Sequence, residues 1–429
     1  NCFVSLPWVQ SVSSLLHTHH ISTSFENVRI IKASSMFSSL SRLALIFLVV
    51  AAIGTVVGQT APKPIKTLCT LPIYQDITVS CHAAFASRYY ASNFSTIDWR
   101  WRMITPNEGS EGPSAKNFVK SWVLSGENCD LLVGPGYSFI AASMSPLVEI
   151  PWVDASATST ELSDKKIHPF YSRVIPTDEV GAAAAGLIYA KFGWTRTNIL
   201  CSDEAYGRSI AAGVTNSLRD AGGEVDETRC FQPSASEETL RKAIEVFLRS
   251  KTKVVFVAGL PFHSWYTHFK KVVKELKASE KLIFFFGDAF CSTGDRSYVE
   301  LVGGLCATYT GSAATMKPFL NAMQTWDRTA EFDRLRALGY AEESIDRCKS
   351  DTDIYAVLGH DAAIHGMTAL TNYEAELASG KTAADLGTKV DFLRKQISYA
   401  ATGKIELESN GDRLVVDLVL YNAFDASTE

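Results

Sequence analysis

Beyond residue 58 the sequence has no apolar run of the roughly 20 residues that a membrane-crossing helix requires. This excludes a channel or multi-span transporter within the 429 residues. There is no basic excess: the formal net charge is −5, against a general nucleic-acid binder. No Gly-x-Ser-x-Gly elbow, Walker-type phosphate loop or His-Glu-x-x-His pair occurs. Gly134-Pro135-Gly136 is not a dinucleotide fingerprint. The chain is therefore not expected to be an enzyme, and no cofactor is expected. Absence of Cys-x-x-Cys removes the main support for a zinc ribbon or a thioredoxin-type site. His263 and His268, like His360 and His365, are spaced wrongly to share one helix face as metal ligands. They are expected to be surface or packing residues, and no metal site is expected. What is present is ordinary globular material, 46% hydrophobic and 20% charged, enough for two or three domains.

Asn1–Ser35 shows no periodicity and is taken as translated upstream sequence. Met36 then opens an export pattern over residues 36–58: Arg42 is the positive region, Leu43–Ile53 the apolar region, and Val56 and Gly58 the small residues before cleavage at Gln59. The alternative is an uncleaved anchor over Leu43–Val57. Setting Cys2 aside leaves eight of the nine cysteines, an even number that suits disulfides in an exported chain. Asn93-Phe94-Ser95 is a glycosylation sequon. Together these place the protein in the secretory pathway, secreted or on the outer face of the plasma membrane.

From residue 131 onward, short apolar strands alternate with amphipathic helices. Strands are expected at Leu131–Val133, Pro151–Val153, Thr197–Cys201, Glu224–Arg229, Val254–Ala258 and Leu282–Phe286. Helices are expected at Gly181–Phe192, Ser209–Ala221, Glu237–Leu248 and Trp265–Leu276. Apolar strands alternating with helices make a parallel sheet covered on both faces. Ligands in such sheets bind beyond the carboxyl ends of strands. Polar residues stand there: Ser138, Ser156 to Ser159, Asp178, Asp203, Glu204, Tyr206 and Asp288. Each of them alone could be a helix cap or a turn residue.

An ordered series then points to a family. It runs through Gly134-Pro135-Gly136-Tyr137-Ser138, Ser156-Ala157-Thr158-Ser159-Thr160-Glu161-Leu162, Phe170-Tyr171-Ser172-Arg173-Val174-Ile175-Pro176-Thr177-Asp178, Asp203-Glu204-Ala205-Tyr206-Gly207-Arg208-Ser209 and Asn410-Gly411-Asp412-Arg413. This resembles the extracellular ligand-binding region of class C G-protein-coupled receptors and receptor guanylate cyclases, which share their fold with type I periplasmic binding proteins. The resemblance implies an α/β fold of two Rossmann-like lobes, each a parallel sheet flanked by helices, closing on ligand like a Venus flytrap. Residues 64–178 and 312–402 would form lobe 1, and 179–311 and 403–429 lobe 2. Ser138 and Thr158 match positions that hold the α-carboxylate of an amino acid, and Ser156, in the same loop, is a further ligand-binding candidate. Asp178, Tyr206 and Asp288 match positions that hold its ammonium.

The pattern also departs from glutamate-type receptors, where a basic residue is expected near Tyr355 and another in the first helix; the nearest is Arg88. A neutral or aromatic amino acid is therefore easier to accommodate than glutamate. The resemblance implies a receptor ectodomain with a membrane-linked output and pairing through lobe 1; the alternative is a freestanding secreted solute-binding protein. Within lobe 2, a Cys291–Cys306 bridge and a Cys201–Cys230 bridge are expected, the second against the alternative of two buried thiols.

Overall fold

A computed structural model describes residues 63–422 apart from 72–77, 90–92, 95, 105–116, 118–127, 262, 292–303, 312, 328, 338, 351–353, 415 and 416. The upstream stretch and the export signal lie outside the described residues. So does any structure at residues 292–303, between Cys291 and Cys306.

The first sheet has strands β1 (Ile65–Thr70), β2 (Asp98–Met103), β3 (Leu131–Val133), β4 (Trp152–Asp154) and β5 (Tyr171–Arg173), in the order β2-β1-β3-β4-β5. All its pairings are parallel. Helices α1 (Thr78–Tyr89) and α2 (Ser138–Met144) connect these strands. The second sheet comprises β6 (Arg196–Ser202), β7 (Glu224–Phe231), β8 (Val254–Ala258), β9 (Ile283–Phe286), β10 (Leu305–Thr310) and β13 (Asp417–Asn422). Its order is β13-β10-β9-β8-β6-β7, parallel except for β13, which runs antiparallel to β10. Around it lie α3 (Asp178–Phe192), α4 (Ala205–Asp220), α5 (Glu237–Arg249) and α6 (Ser264–Glu275). The chain then returns through α7 (Ala313–Thr325), α8 (Thr329–Ala337), α9 (Glu342–Ser350) and the long α10 (Ile354–Ala378) to the first sheet. Two short helices, α11 (Ala383–Leu386) and α12 (Lys389–Lys395), lead to the hairpin of β11 (Ser398–Ala400) and β12 (Gly403–Ile405).

Local chemistry sets the boundaries. The Glu204 side chain accepts from the backbone N–H groups of Tyr206 and Gly207, so α4 starts four residues before the expected Ser209. At its other end Gly222 is left-handed (φ 79°), and Gly223 N–H donates to the Leu218 carbonyl. Ser236 caps α5, whose first turn carries Glu237 and Glu238. β8 is central in its sheet and wholly buried, which is why it is an unbroken apolar run rather than an alternating one.

Each sheet has its own core. Leu68, Leu131 and Val153 pack with α10 residues Leu358, Ala362 and Met367. Leu200, Val255, Val257 and Phe284 pack with Leu240, Ile244, Trp265 and Phe269. Residues 403–413, assigned above to lobe 2, pack partly with the first sheet: Ile405 and Leu407 join the core of Leu68 and Leu131. Beyond residue 402, among the described residues, β13 is the strand that rejoins the second sheet.

Among the described residues four disulfides are formed: Cys69–Cys129, Cys81–Cys348, Cys201–Cys230 and Cys291–Cys306. Cys201 and Cys230 stand directly opposite each other on the paired strands β6 and β7, so the bridge follows from strand register. Peptide mapping without reduction should recover these four linked pairs; Cys201 and Cys230 found as free thiols would contradict the register. Among the described residues no helix is long and apolar enough to cross a membrane, and no group of three His, Cys, Asp or Glu could hold a metal ion.

Candidate functional site

The carboxyl ends of β3, β4 and β5 carry three connected loops. Asp154, at the end of β4, is fully buried and accepts from the backbone N–H groups of Ser156 (2.9 Å) and Ala157 (3.0 Å). This curls the loop back over the strand end. The Ser156 hydroxyl donates to the Gly136 carbonyl at 2.9 Å, joining this loop to the turn after β3. Gly136 has φ +90°, and a side chain there would collide with the Ser156 hydroxyl.

Arg173, the last residue of β5, is fully buried. Its Nη1 donates to the carbonyls of Ala157 (2.9 Å) and Ser159 (2.8 Å), and its Nε to Asp412 at 2.7 Å. Two alternate carbonyls are thus drawn to one side of the loop. The N–H groups of Thr158 and Ser159 turn elsewhere, and both donate to the Ser138 hydroxyl oxygen at 3.1 Å. Two converging amides beside a hydroxyl, at the start of a helix, form an anion-accepting arrangement. Asp412 also accepts from Ser163 at 2.6 Å, while Arg173 N–H donates to the Gly411 carbonyl at 2.9 Å. The Asn410–Arg413 segment is therefore locked along β5. Gly411 is left-handed and a side chain there would meet the Ser172 hydroxyl.

The second sheet supplies an acidic and aromatic wall. The Tyr206 hydroxyl donates to Asp288 at 2.7 Å. The Tyr355 hydroxyl, arriving from the start of α10, donates to the other Asp288 oxygen. Asp178, the first residue of α3, is almost fully buried, and neither of its oxygens has a well-formed hydrogen bond. Burial, then the Asp288 charge, pushes its pKa up to about 8, although the Ser209 and Thr158 hydroxyls favour the charged form. The Tyr309 hydroxyl is buried without a partner of good geometry beside these acids, whose charges help raise its pKa. The two lobes meet directly here. Thr160 N–H donates to the Ser209 hydroxyl at 3.0 Å, and the rings of Phe139 and His263 lie 6.0 Å apart.

The structure thus brings together two groups of the sequence-selected residues: Ser138, Ser156 and Thr158 in one, Asp178, Tyr206 and Asp288 in the other. Asp203 and Glu204 serve the fold instead. Asp203 is held by Arg208 and Gln232, and Glu204 caps α4. Asp154, Arg173, Asp412 and Tyr309 were not selected from sequence. Arg173 and Asp412 do fall inside the quoted motif segments, but nothing in either segment says that they pair. Tyr355 replaces the expected cation with a hydroxyl that is already engaged. His360 and His365 are buried packing residues of α10.

Residues 113–423 match the family described as the receptor family ligand binding region. The chain belongs to that family. It is 25% identical over 307 residues to metabotropic glutamate receptor-like protein E of Dictyostelium discoideum, covering 69% of this chain and 35% of the relative. Human metabotropic glutamate receptor 8 is 35% identical over 86 residues, 20% of this chain and 10% of the receptor. The chain thus spans about a third or less of these relatives' length. Among solved structures, an ABC transporter substrate-binding protein from Desulfitobacterium hafniense in complex with Leu superposes with a TM-score of 0.62. That match has 16% identity and covers 84% of this chain and 98% of the other, a likeness of fold. The fold is that of type I periplasmic binding proteins, and the chain carries the ligand-binding region of the matched receptor family.

Proposed function

We propose that the cleft binds a small amino-acid-like zwitterion and that lobe closure around it drives a membrane-linked output. The observation that carries this reading is Asp178, a buried carboxyl group without a well-formed hydrogen bond, whose own N–H donates to the Thr158 carbonyl beside the two convergent amides. An ammonium group would complete Asp178 and sit beside Asp288 and the Tyr206 ring edge. The ligand carboxylate would take the Thr158 hydroxyl and the Thr158 and Ser159 amides, with Ser138 rotating from acceptor to donor. Ser156 holds the loop through Gly136. Lobe 1 would comprise residues 64–178 and 312–402, extended by 403–413. Lobe 2 would comprise 179–311 and the returning strand. Export after residue 58, four disulfides and glycosylation at the exposed Asn93 suit an extracellular site. A freestanding solute-binding protein would use the same cleft and differ in what closure drives.

Calorimetric titration with each of the twenty amino acids tests the reading. A neutral or aromatic amino acid should bind, because Tyr355, bonded to Asp288, stands where a glutamate-type receptor is expected to carry a basic residue. Thr158→Ala should weaken that ligand about tenfold or more, the loss of one charge-assisted hydrogen bond. No binding at millimolar concentration, or binding indifferent to Thr158→Ala, would refute the zwitterion assignment.

A further inference from the structure

Lys242, Lys271 and Lys404 each hydrogen-bond a carboxylate, which raises the pKa of their amines. Lys165 is different. It is half-buried and takes part in no ion pair among the described residues. Its side chain bends back so that Nζ donates to the Leu162 carbonyl at 2.7 Å and lies 5.1 Å from the centre of the Tyr171 ring. A second cation without an ion pair, Arg394 of α12, stands on the same tyrosine. Its Nη2 donates to the carbonyls of Tyr171 (3.1 Å) and Pro169 (2.6 Å), and its Nε to the Ser172 hydroxyl at 3.3 Å. Nη1 makes no hydrogen bond among the described residues. With Arg173, three cations surround one buried acid, Asp412, whose oxygens are already taken by Arg173, Ser163 and Asn410. Nearby Asp164 accepts from the Lys166 N–H, and the His168 ring is spent on Ser145. Burial lowers the Lys165 pKa to about 7; Asp412 and Asp164 oppose this, while Arg173 and Arg394 add to it. At neutral pH about half of this amine is therefore the nucleophilic free base.

We propose that Lys165 is a carbamate-forming site, whose free amine takes up carbon dioxide and whose carbamate is held by Arg394. The ammonium first gives its proton to water. The Nζ lone pair then forms an N–C bond to carbon dioxide, one C=O π pair moves onto oxygen, and the nitrogen loses a second proton to water or buffer. A cation becomes an anion. The two guanidinium groups that disfavour the ammonium therefore favour the product. Arg394 Nη1 is the donor left to take a carbamate oxygen. The same cations would attract a free anion, but an anion has no use for an uncharged amine, and carbon dioxide does. The carbamate ties the loop that follows Thr160–Ser163 to α12. None of the six residues selected for the amino acid takes part, so the site does not rest on the zwitterion reading.

The test equilibrates the full chain with isotopically labelled bicarbonate at constant pH. The carbamate is trapped by alkylation with a trialkyloxonium salt and mapped by peptide mass spectrometry. Wild type should carry the trapped label on Lys165, and its melting temperature should rise with carbon dioxide, which binds the folded chain. Lys165→Arg keeps the positive charge and should lose both effects, whereas Lys166→Arg, at the exposed neighbour, should keep both. Arg394→Gln should lower the occupancy of Lys165 about tenfold, the loss of one charge-assisted hydrogen bond. No label on Lys165 of the wild type overturns the proposal. So does a thermal shift that persists in Lys165→Arg, or an occupancy indifferent to Arg394→Gln. If Arg394→Gln does not fold, the wild-type map and the Lys165→Arg comparison decide the matter.

Discussion

Replacing Arg173 by Met should lower stability by about 3–5 kcal/mol, the ordinary result of removing one partner from a buried ion pair. The guanidinium is inaccessible to water and serves four groups: Asp412, the carbonyls of Ala157 and Ser159, and the Ser163 hydroxyl. Methionine fills much of the volume but satisfies none of them. Asp412, itself 4% exposed, would lose the guanidinium bonded to it and be left hydrogen-bonded to Ser163 and Asn410. Asp412→Asn removes the acid left without its partner. The double variant should therefore be less destabilised than the two single losses added together. Chemical denaturation of the wild type, both singles and the double measures the coupling. Simple additivity would mean that the pair does not act as one unit. Ligand affinity should fall as well, because the loop carbonyls that orient the Thr158 and Ser159 amides lose their anchor.

Asp178→Asn should move stability and binding in opposite directions. In the folded chain burial and Asp288 raise the Asp178 pKa from an ordinary 3.8 to about 8. Between those values the folded state holds a proton that the unfolded state has released. Wild-type stability contributed by this group is thus greatest at low pH and is lost as pH rises toward about 8. Asparagine has no such proton. The melting temperature of the variant minus that of the wild type should be small near pH 4 and grow steadily to pH 8. Glu204, a buried acid not coupled to Asp178, is common to both proteins and cancels in the difference, whereas Asp288 is coupled to Asp178 and contributes to it. Affinity for the amino-acid ligand should drop about tenfold or more, because the ammonium loses its carboxylate partner. Thermal melts across pH and titration calorimetry check the two halves separately. Parallel melting curves would remove Asp178 from the electrostatics of the cleft, whatever the ligand proves to be.

The second lobe was legible because its elements obey simple periods. β8 and β9 are apolar runs too short for helices, and α5 shows Leu240 and Ile244 on one side with glutamates opposite. The first lobe was harder to trace. α10 runs 25 residues, and most of its side chains are buried between other elements, so it has no polar face to reveal a helical period. Part of the first sheet's core comes from residues beyond 350, which no local pattern announces. The candidate site divides in the same way. Parallel strands deliver their carboxyl ends to one edge, so polar residues just after strands converge there, and this was enough to select Asp178, Tyr206 and Asp288. It could not reveal that Arg173 finds Asp412, 239 residues away, because a lone arginine at a strand end carries no signal of its partner. Nor could it show that the Tyr355 hydroxyl would already be spent on Asp288.

The Cys81–Cys348 bridge has a consequence for how the chain is made. Its partners are separated by 267 residues, against 29 for Cys201–Cys230 and 15 for Cys291–Cys306. At a synthesis rate of about 5–20 residues per second, Cys81 waits on the order of 13–53 s before its partner has been translated. The two shorter bridges can close within a few seconds. For most of its birth the first sheet therefore stands with an open thiol and without α10 across its face, while the strands between β6 and β10 are already complete. The first lobe is thus begun before β6 to β10 and completed after them, and the second sheet in turn waits for its final strand, β13, at the end of the chain.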